Sequence, residues 1–497
     1  MKRFPPRRIT LAATGLAALT FGFSLALWQR NARLESTEGT RLVPSAQFSQ
    51  IEKLESQPTI EATAENTPVA IPQGTLAKES WSAIASHTLI STPAVTADRA
   101  LVGTKNGTLE VWSRGSTPRL LYRLVKREPI YSTPVIHDGI AYIGEGLGNA
   151  TAIRLTALDI KNARVLWERE FHGHIEAAPL LDNGTLYIGA GSGGIWAIRA
   201  SNGKLVWHAP LGHVDATPVR IGDTIYSSAQ TTHGTKVETK LIALDASSAE
   251  VRWSCSLPGQ PWGSPLRGAN GGDVLLTTAQ GQSGPPQKSD RGWSHAVDAK
   301  TGKLHWTMEL PGMPLLKSVV LEEKQLLIHT LKTGEIIAVQ LGEKSGSHAW
   351  TAQLRSRVQA EGTIIDGRWL AIITESGTLA LRDVRNGKEI QKINVGKEGS
   401  VSATSDGSDL FVASPTSLTA FHFKTTISDA AAAVTTTAAP ASSEANTAAE
   451  AAPSYPTGTT DTLESNGAER SPADIGGAPG TIIEDDPEDE QLPEGGE

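Results

Sequence analysis

Short apolar runs, broken by turn-forming glycine, asparagine, aspartate and proline, fill the middle of the chain. Thr185-Leu-Tyr-Ile-Gly189 and Ile140-Ala-Tyr-Ile-Gly144 are two of them. Such runs, bounded by such residues, predict β-strands. They come in sets. A small residue followed by proline opens a set, as at Thr92-Pro93, Thr133-Pro134, Ala178-Pro179, Thr217-Pro218 and Ser264-Pro265. An apolar run, a turn and a second run follow. A glycine-rich turn then leads to a third run such as Gly194-Ile-Trp-Ala-Ile198 or Lys240-Leu-Ile-Ala-Leu244. An Asp/Asn–Gly turn precedes a fourth run that ends near a tryptophan. Four strands joined by such turns form one antiparallel sheet.

The last turn and the tryptophan make a recurring phrase, Asp-x-x-x-Gly-Lys-x-x-Trp. Asp298, Gly302, Lys303 and Trp306 carry it whole. Gly203, Lys204 and Trp207 follow Arg199, while the pairs Asp159/Trp167 and Asp245/Trp253 keep its ends at the same spacing. Asp383, Gly387 and Lys388 keep the turn, with Gln391 where the tryptophan would be. Self-similarity with a period of about 40 to 50 residues is the mark of a propeller or solenoid. The sets begin near Ser91, Ser132, Ala177, Ala216, Gly263, Lys317, Glu361 and Ser400. The last set has three strands and stops at Phe423. Its fourth strand has a candidate upstream, Glu79–Ala85, which carries Trp81. Pairing of this segment with Leu418–Phe423 closes a ring and removes its open edges. The expected fold is all-β, an eight-bladed β-propeller of four-stranded antiparallel blades over residues 78–424.

The turn-plus-tryptophan phrase resembles the repeat of the pyrroloquinoline-quinone (PQQ) propellers. Within that superfamily the chain is similar to the non-catalytic outer-membrane assembly propellers of the BamB type more than to the quinoprotein dehydrogenases. The resemblance implies that the repeat tryptophans Trp167, Trp207, Trp253, Trp306 and Trp350 pack between neighbouring blades. It leaves function open, because one fold hosts many activities.

The flanks differ from the repeats. Met1-Lys2-Arg3 and Arg7-Arg8 precede an apolar segment, Ile9–Trp28, long enough to span a bilayer. The basic residues before it keep the N-terminus cytoplasmic, so residues 1–30 are expected to be a single-pass inner-membrane anchor with the propeller in the periplasm. No lipobox cysteine follows. A cleaved signal ending at Ser24-Leu-Ala26 and a twin-arginine export signal at Arg7-Arg8 are the alternatives. Residues 31–77 read as a polar, flexible tether. Residues 425–497 are rich in Ala, Thr, Ser and Pro and end in an acidic run, Glu484–Glu490, which reads as a disordered, solvating tail. The formal net charge is −8, with no basic stripe interleaved with aromatics, so nucleic acid is not an expected partner. Cys255 is the single cysteine, which excludes an intramolecular disulfide.

Candidate chemistry lies where the chain enters the innermost strands. Gly173-His174-Ile175-Glu176 and Gly212-His213-Val214-Asp215 precede Ala178-Pro179 and Thr217-Pro218 in parallel fashion. Imidazole and carboxylate two apart on an extended segment point to one side. Two blades can thus aim His174, Glu176, His213 and Asp215 at the central opening, as ligands for a divalent metal or a polar molecule. Tyr131 and Trp262 hold the carboxylate position in other sets. A wet rim with duplicated residues is the plain alternative. Three connections on the same rim are long: Glu145–Ala152, Ala229–Thr239 and Ala279–Trp293.

The quinoprotein dehydrogenases of the resembled superfamily carry a vicinal disulfide and a calcium ion beside the quinone. One cysteine cannot supply that disulfide, and no Cys-x-x-Cys-His haem site is present. The expected function is therefore a membrane-anchored, monomeric, non-catalytic scaffold for envelope proteins, with no cofactor. The alternatives are a quinoprotein-like oxidoreductase with PQQ and calcium, and a propeller that binds a small ligand or metal at the His/carboxylate rim.

Overall fold

The computed structural model describes residues 40–43, 49–53 and 77–423, apart from 116, 147–152, 234–235, 262, 282–285, 316, 359–360 and 396–401. The expected anchor and acidic tail lie outside the described residues. Among the described residues no helix is long and apolar enough to cross a membrane.

Eight antiparallel sheets form the blades of a β-propeller. Blade 3 shows the plan. Leu180–Asp182, Thr185–Gly189, Ile195–Arg199 and Leu205–Ala209 pair in sequence order from the axis outwards. The ring closes as expected. Ala77–Ile84 pairs with Ser417–Phe423, with Glu79 opposite Phe421 and Ile84 opposite Ser417. Trp81 meets Phe411 at 6.0 Å between ring centroids. Both belong to a core that also holds Leu89, Val102 and Trp112 of blade 1.

Two stretches of the segment read as a tether are strands. Gln50–Lys53 lies on the outer strand of blade 1, Leu120–Val125, and Thr40–Val43 on that of blade 2, Arg164–Phe171. The N-terminal segment therefore walks backwards around the perimeter, adding an outermost strand to blades 2, 1 and 8 in turn. A buried ion cluster underlies this strap. Lys126 is fully buried, with its Nζ 2.6 Å from Glu168 Oε1 and 3.6 Å from Glu145 Oε2. The same ammonium donates to Ser49 Oγ at 3.0 Å, just before the strap's strand on blade 1. Arg154 balances the charge, 3.4 Å from Glu145 and 3.5 Å from Glu170. Removing one partner of such a cluster typically costs about 3–5 kcal/mol, because a buried charge is left uncompensated.

The recurring phrase is explained by contacts between blades. In four instances the indole N–H of one blade donates to a turn carbonyl of the next. Trp167 reaches Ala200 O at 2.9 Å, Trp207 reaches Ala246 O at 2.9 Å, Trp253 reaches Ala299 O at 3.0 Å and Trp350 reaches Val384 O at 3.0 Å. In blade 1 the Tyr122 hydroxyl does the same to Ile160 O at 2.7 Å. Trp306 packs its ring beside Gly346 of blade 6. The aspartate of the phrase shapes the turn that supplies the carbonyl: Asp298 Oδ1 accepts from the Lys300 and Thr301 amides at 3.1 and 2.7 Å. The glycine closes it, with Gly302 N–H donating to Asp298 O at 2.9 Å. Gly302 and Gly387 have φ of 72° and 69°, and a Cβ on them would lie 2.7 and 2.5 Å from the rings of Trp253 and Trp350. Glycine is required there both by the left-handed backbone and by the indole stacked on it.

Small residues before the proline also act between blades. Ser132 Oγ donates to Ala177 O at 3.0 Å, and Thr217 Oγ1 to Ala178 O at 2.9 Å, near the axis.

Two histidines are buried among hydroxyls, His295 within blade 5 and His329 at the contact of blades 5 and 6. His295 lies between Thr278 Oγ1 at 2.9 Å and Thr307 Oγ1 at 3.0 Å. His329 lies between Ser318 Oγ at 2.8 Å and Ser294 Oγ at 3.1 Å. Desolvation pulls their imidazoles down to about 4 and about 3.

Gly387→Ala should destabilise the domain by about 2 kcal/mol or more through overpacking and strain, whereas Gly184→Ala, with open space around its Cβ, should cost only the backbone term of about 1 kcal/mol. Denaturant unfolding of the two variants separates them. The buried histidines set a pH dependence. Below an ordinary pKa of about 6.5 the unfolded chain binds protons that the native rings refuse. Stability from these rings is full above that pH and falls as pH drops towards 4 and 3, by about 1.4 kcal/mol per unit for each ring. Urea titrations between pH 7.5 and 5 should show this fall, and His329→Gln should flatten it.

Candidate functional site

The segment that leads into blade 4 is held from both sides. Val214 exchanges two backbone hydrogen bonds with Gly191 of blade 3, at 2.9 and 3.0 Å. His213 exchanges two with Gln230 of blade 4, both at 2.9 Å. Val214 and Ile175 are fully buried between the blades. With these alternate residues directed into the core, their neighbours face the opening.

The structure brings three of the sequence-predicted residues together at hydrogen-bond distance. Asp215 accepts from two imidazoles, His174 Nε2 at 2.8 Å on Oδ1 and His213 Nε2 at 2.7 Å on Oδ2. The two rings lie 5.2 Å apart between centroids. Glu176 Oε1 stands 3.6 Å from His174 Nε2. His174 is buried, His213 is partly exposed, and the Asp215 side chain keeps 45% of its surface open. Desolvation opposes the Asp215 charge. The hydrogen bonds from His174 and His213 outweigh it and hold the carboxyl well below the usual carboxylate range.

Tyr131 belongs to the same side of the opening. Burial, and then the charge of Glu176, push its phenol up. Trp262 lies outside the described residues. Further round, burial raises the Glu361 carboxyl while Lys317 of the neighbouring blade pulls it down. The repeat tryptophans take no part in the mouth; they sit on outer strands.

Two supporting residues were not singled out from the sequence. Gly191 makes room for the His174 ring: a Cβ there would lie 2.6 Å from Cε1, and its φ is 51°. His208 stacks on Trp196 at 3.5 Å and donates to Gly193 O at 2.6 Å, propping the same turn. The run Gly191-Ser192-Gly193-Gly194 was the available signal for a close approach.

The long connections are partly regular. In blade 4, Thr224–His233 and Lys236–Asp245 are strands of 10 residues each, against 5 each for the corresponding pair in blade 3. The described strand continues beyond the residue paired with His213 by about 10 Å at 3.3 Å per residue. Val237 near its end is 41% exposed. In blade 5 the ladder reaches Gln280 opposite Arg291.

A family model described as "Outer membrane protein assembly factor BamB" matches residues 62–255 and again residues 238–451. The chain belongs to this family. No curated protein matches it. Among solved structures it is similar to BamB from Moraxella catarrhalis, with a TM-score of 0.52 and 17% identity over 70% of this chain and 100% of that one. It is likewise similar to the computationally designed Ika8 protein, with a TM-score of 0.52 and 13% identity over 68% of this chain and 96% of that one. A europium-containing methanol dehydrogenase also aligns, with a TM-score of 0.51 and 11% identity over 70% of this chain and 93% of that one. At these identities the likeness is one of fold.

The dehydrogenase fold raises the question of PQQ with calcium. Calcium takes about six to eight oxygen ligands. The described residues that cluster at the mouth offer two imidazoles with Asp215 and Glu176, a mixed nitrogen and oxygen set short of the all-oxygen shell that a hard cation takes.

Gly191→Ala should displace the His174 ring from Asp215 and destabilise the domain by about 1–3 kcal/mol. Chemical denaturation measures the loss, and the ring resonances of His174 in NMR spectra should lose their hydrogen-bonded signature while those of His329 stay in place.

Proposed function

We propose that this member of the BamB family is a membrane-anchored propeller that binds other envelope proteins and performs no reaction itself, with outer-membrane protein assembly as its setting. The family match along most of the chain carries this reading. Two features of the molecule support it. The tall hairpin of blade 4 lifts an exposed apolar residue, Val237, above the mouth, where a partner can be met without disturbing the blades. The strap on the perimeter supports a fixed placement near a membrane. Ile9–Trp28 is taken to span the inner membrane, with the propeller in the periplasm. Only eleven residues separate Trp28 from Thr40, where the chain joins the edge of blade 2. Fully extended they reach about 40 Å, so blade 2 faces the bilayer at short range.

Outer edges take part in this reading as well. Blades 1, 2 and 8 carry strands from the N-terminal segment, whereas the outer strands of blades 3 and 4 expose Leu205, Val206 and Val251. A second reading, a metal- or ligand-binding propeller, is favoured by the His174–Asp215–His213 arrangement.

A photo-crosslinker at position 237 of the full chain in its native envelope should form adducts with outer-membrane assembly proteins. The same group at His137, an exposed position on blade 2, should not. Equal labelling from both positions, or none from position 237, would remove the docking face. A stoichiometric quinone in the purified chain would replace the scaffold reading with the oxidoreductase.

A further inference from the structure

We propose that His174, His213 and Asp215 form a binding site for a divalent transition metal of the zinc class, open to the central channel. One ligand atom from each lies within 4.8 Å of the other two. Bonds of about 2.1 Å set tetrahedral ligands about 3.4 Å apart, so the imidazoles need to close by roughly an ångström. The residues free to make that movement are the right ones: His213 and Asp215 are partly exposed, whereas His174 is held by packing against Gly191.

The donor chemistry selects the cation. Two imidazoles and a carboxylate are the ligand types of zinc and its neighbours, and calcium and magnesium require oxygen. Charge balance agrees. Asp215 and Glu176 bring two negative charges to a pair of imidazoles, which matches a dication. Glu176, 3.6 Å from His174 Nε2, stands beside the site. Three protein ligands leave one coordination position for water or for a donor from a bound partner, facing the channel.

The ligands come from two blades. His174 leads into blade 3, and His213 and Asp215 lead into blade 4, so a bound ion ties the two together. In the metal-free arrangement both Nε2–H groups are spent on Asp215. Metal binding requires each of those protons to move to Nδ1, which frees both Nε2 lone pairs for the ion. This site is independent of the scaffold reading, since a metal can be present whether or not partners dock on the hairpin.

The test is equilibrium dialysis of the untagged full chain against zinc, with metal analysis, in the presence and absence of excess calcium. We expect one zinc per chain, unaffected by calcium, together with a rise in melting temperature. His213→Ala and Asp215→Asn should weaken binding at least 100-fold, and His137→Ala, at an exposed position on blade 2, should bind as the wild type does. The metal-free melting temperature of each variant shows that the fold is retained. Substitution with cobalt gives a second readout, a visible spectrum of nitrogen-ligated cobalt that is absent in His213→Ala. Absence of zinc from the wild type at micromolar concentration, or equal binding by His213→Ala, would overturn the proposal and leave the cluster as a hydrogen-bonded brace.

Discussion

The indole-to-turn contact between successive blades is the constraint on which the ring depends. Each copy joins the outer strand of one blade to the third turn of the next, as Trp207 joins Ala246 and Trp253 joins Ala299. One half of the contact is a tryptophan; the other half is a turn capped by aspartate and closed by a left-handed residue. A single blade carries the second half of one contact and the first half of the next. The phrase therefore repeats with the period of the blade, although no copy of it touches itself. Each hydrogen bond contributes only about 1 kcal/mol net, and the burial of each ring about 3 kcal/mol more. Their weight comes from repetition around a closed ring, where loosening one blade exposes two interfaces.

Where the phrase decays, other interactions take its place. Blade 7 has Gln391 on its outer strand, and blade 8 is built from both ends of the domain. At these seams Thr363 Oγ1 donates to Ala403 O at 2.9 Å, and Arg114 pairs with Asp406 at 2.5 Å and with Asp409 at 3.3 Å. The Arg114 guanidinium also lies 4.5 Å from the centre of the Phe411 ring. At the seam of blades 1 and 2 the buried Lys126 cluster and the N-terminal strap reinforce the contact of Tyr122. The least regular arc of the ring is thus the one most heavily tied by charge, by aromatic packing and by additional strands.

The regular parts of this architecture were legible in the sequence because they repeat. Eight sets of runs, the aspartate–glycine turn and Trp81 far upstream were enough to place the blades and the closing strand. The strap was not legible: Gln50-Ile-Glu-Lys53 has one apolar residue and pairs through its backbone. Neither were Lys126, His295 and His329. Lys126 follows its strand in a charged run, and His295 and His329 sit among strand residues whose hydroxyl partners lie on other strands. The mouth was partly legible. Two His-x-carboxylate segments announced themselves by duplication, and the spacing of two directed imidazole and carboxylate to one side. That Asp215 serves both rings, and that Gly191 makes room for one of them, depends on how blade 3 meets blade 4, which no local pattern encodes.

That dependence links the two halves of the molecule's physics. A carboxylate that accepts from imidazoles on two different blades, at 2.8 and 2.7 Å, requires the blades to keep register to a fraction of an ångström. The segment that carries His213 and Asp215 is pinned by backbone pairs to Gly191 and Gln230. The blades that carry those residues are in turn pinned by Trp167 to Ala200 and by Trp207 to Ala246. In a repeat protein the residues that lock neighbours are held to one pattern, and the positions facing the opening are left free to differ from blade to blade. Tyr131, Glu176 and Asp215 occupy equivalent places, a phenol in one blade and carboxylates in the next two. Individuality at the mouth is therefore a product of uniformity at the perimeter. The tryptophans that take no part in binding are what allow a site shared by two blades to have a defined geometry.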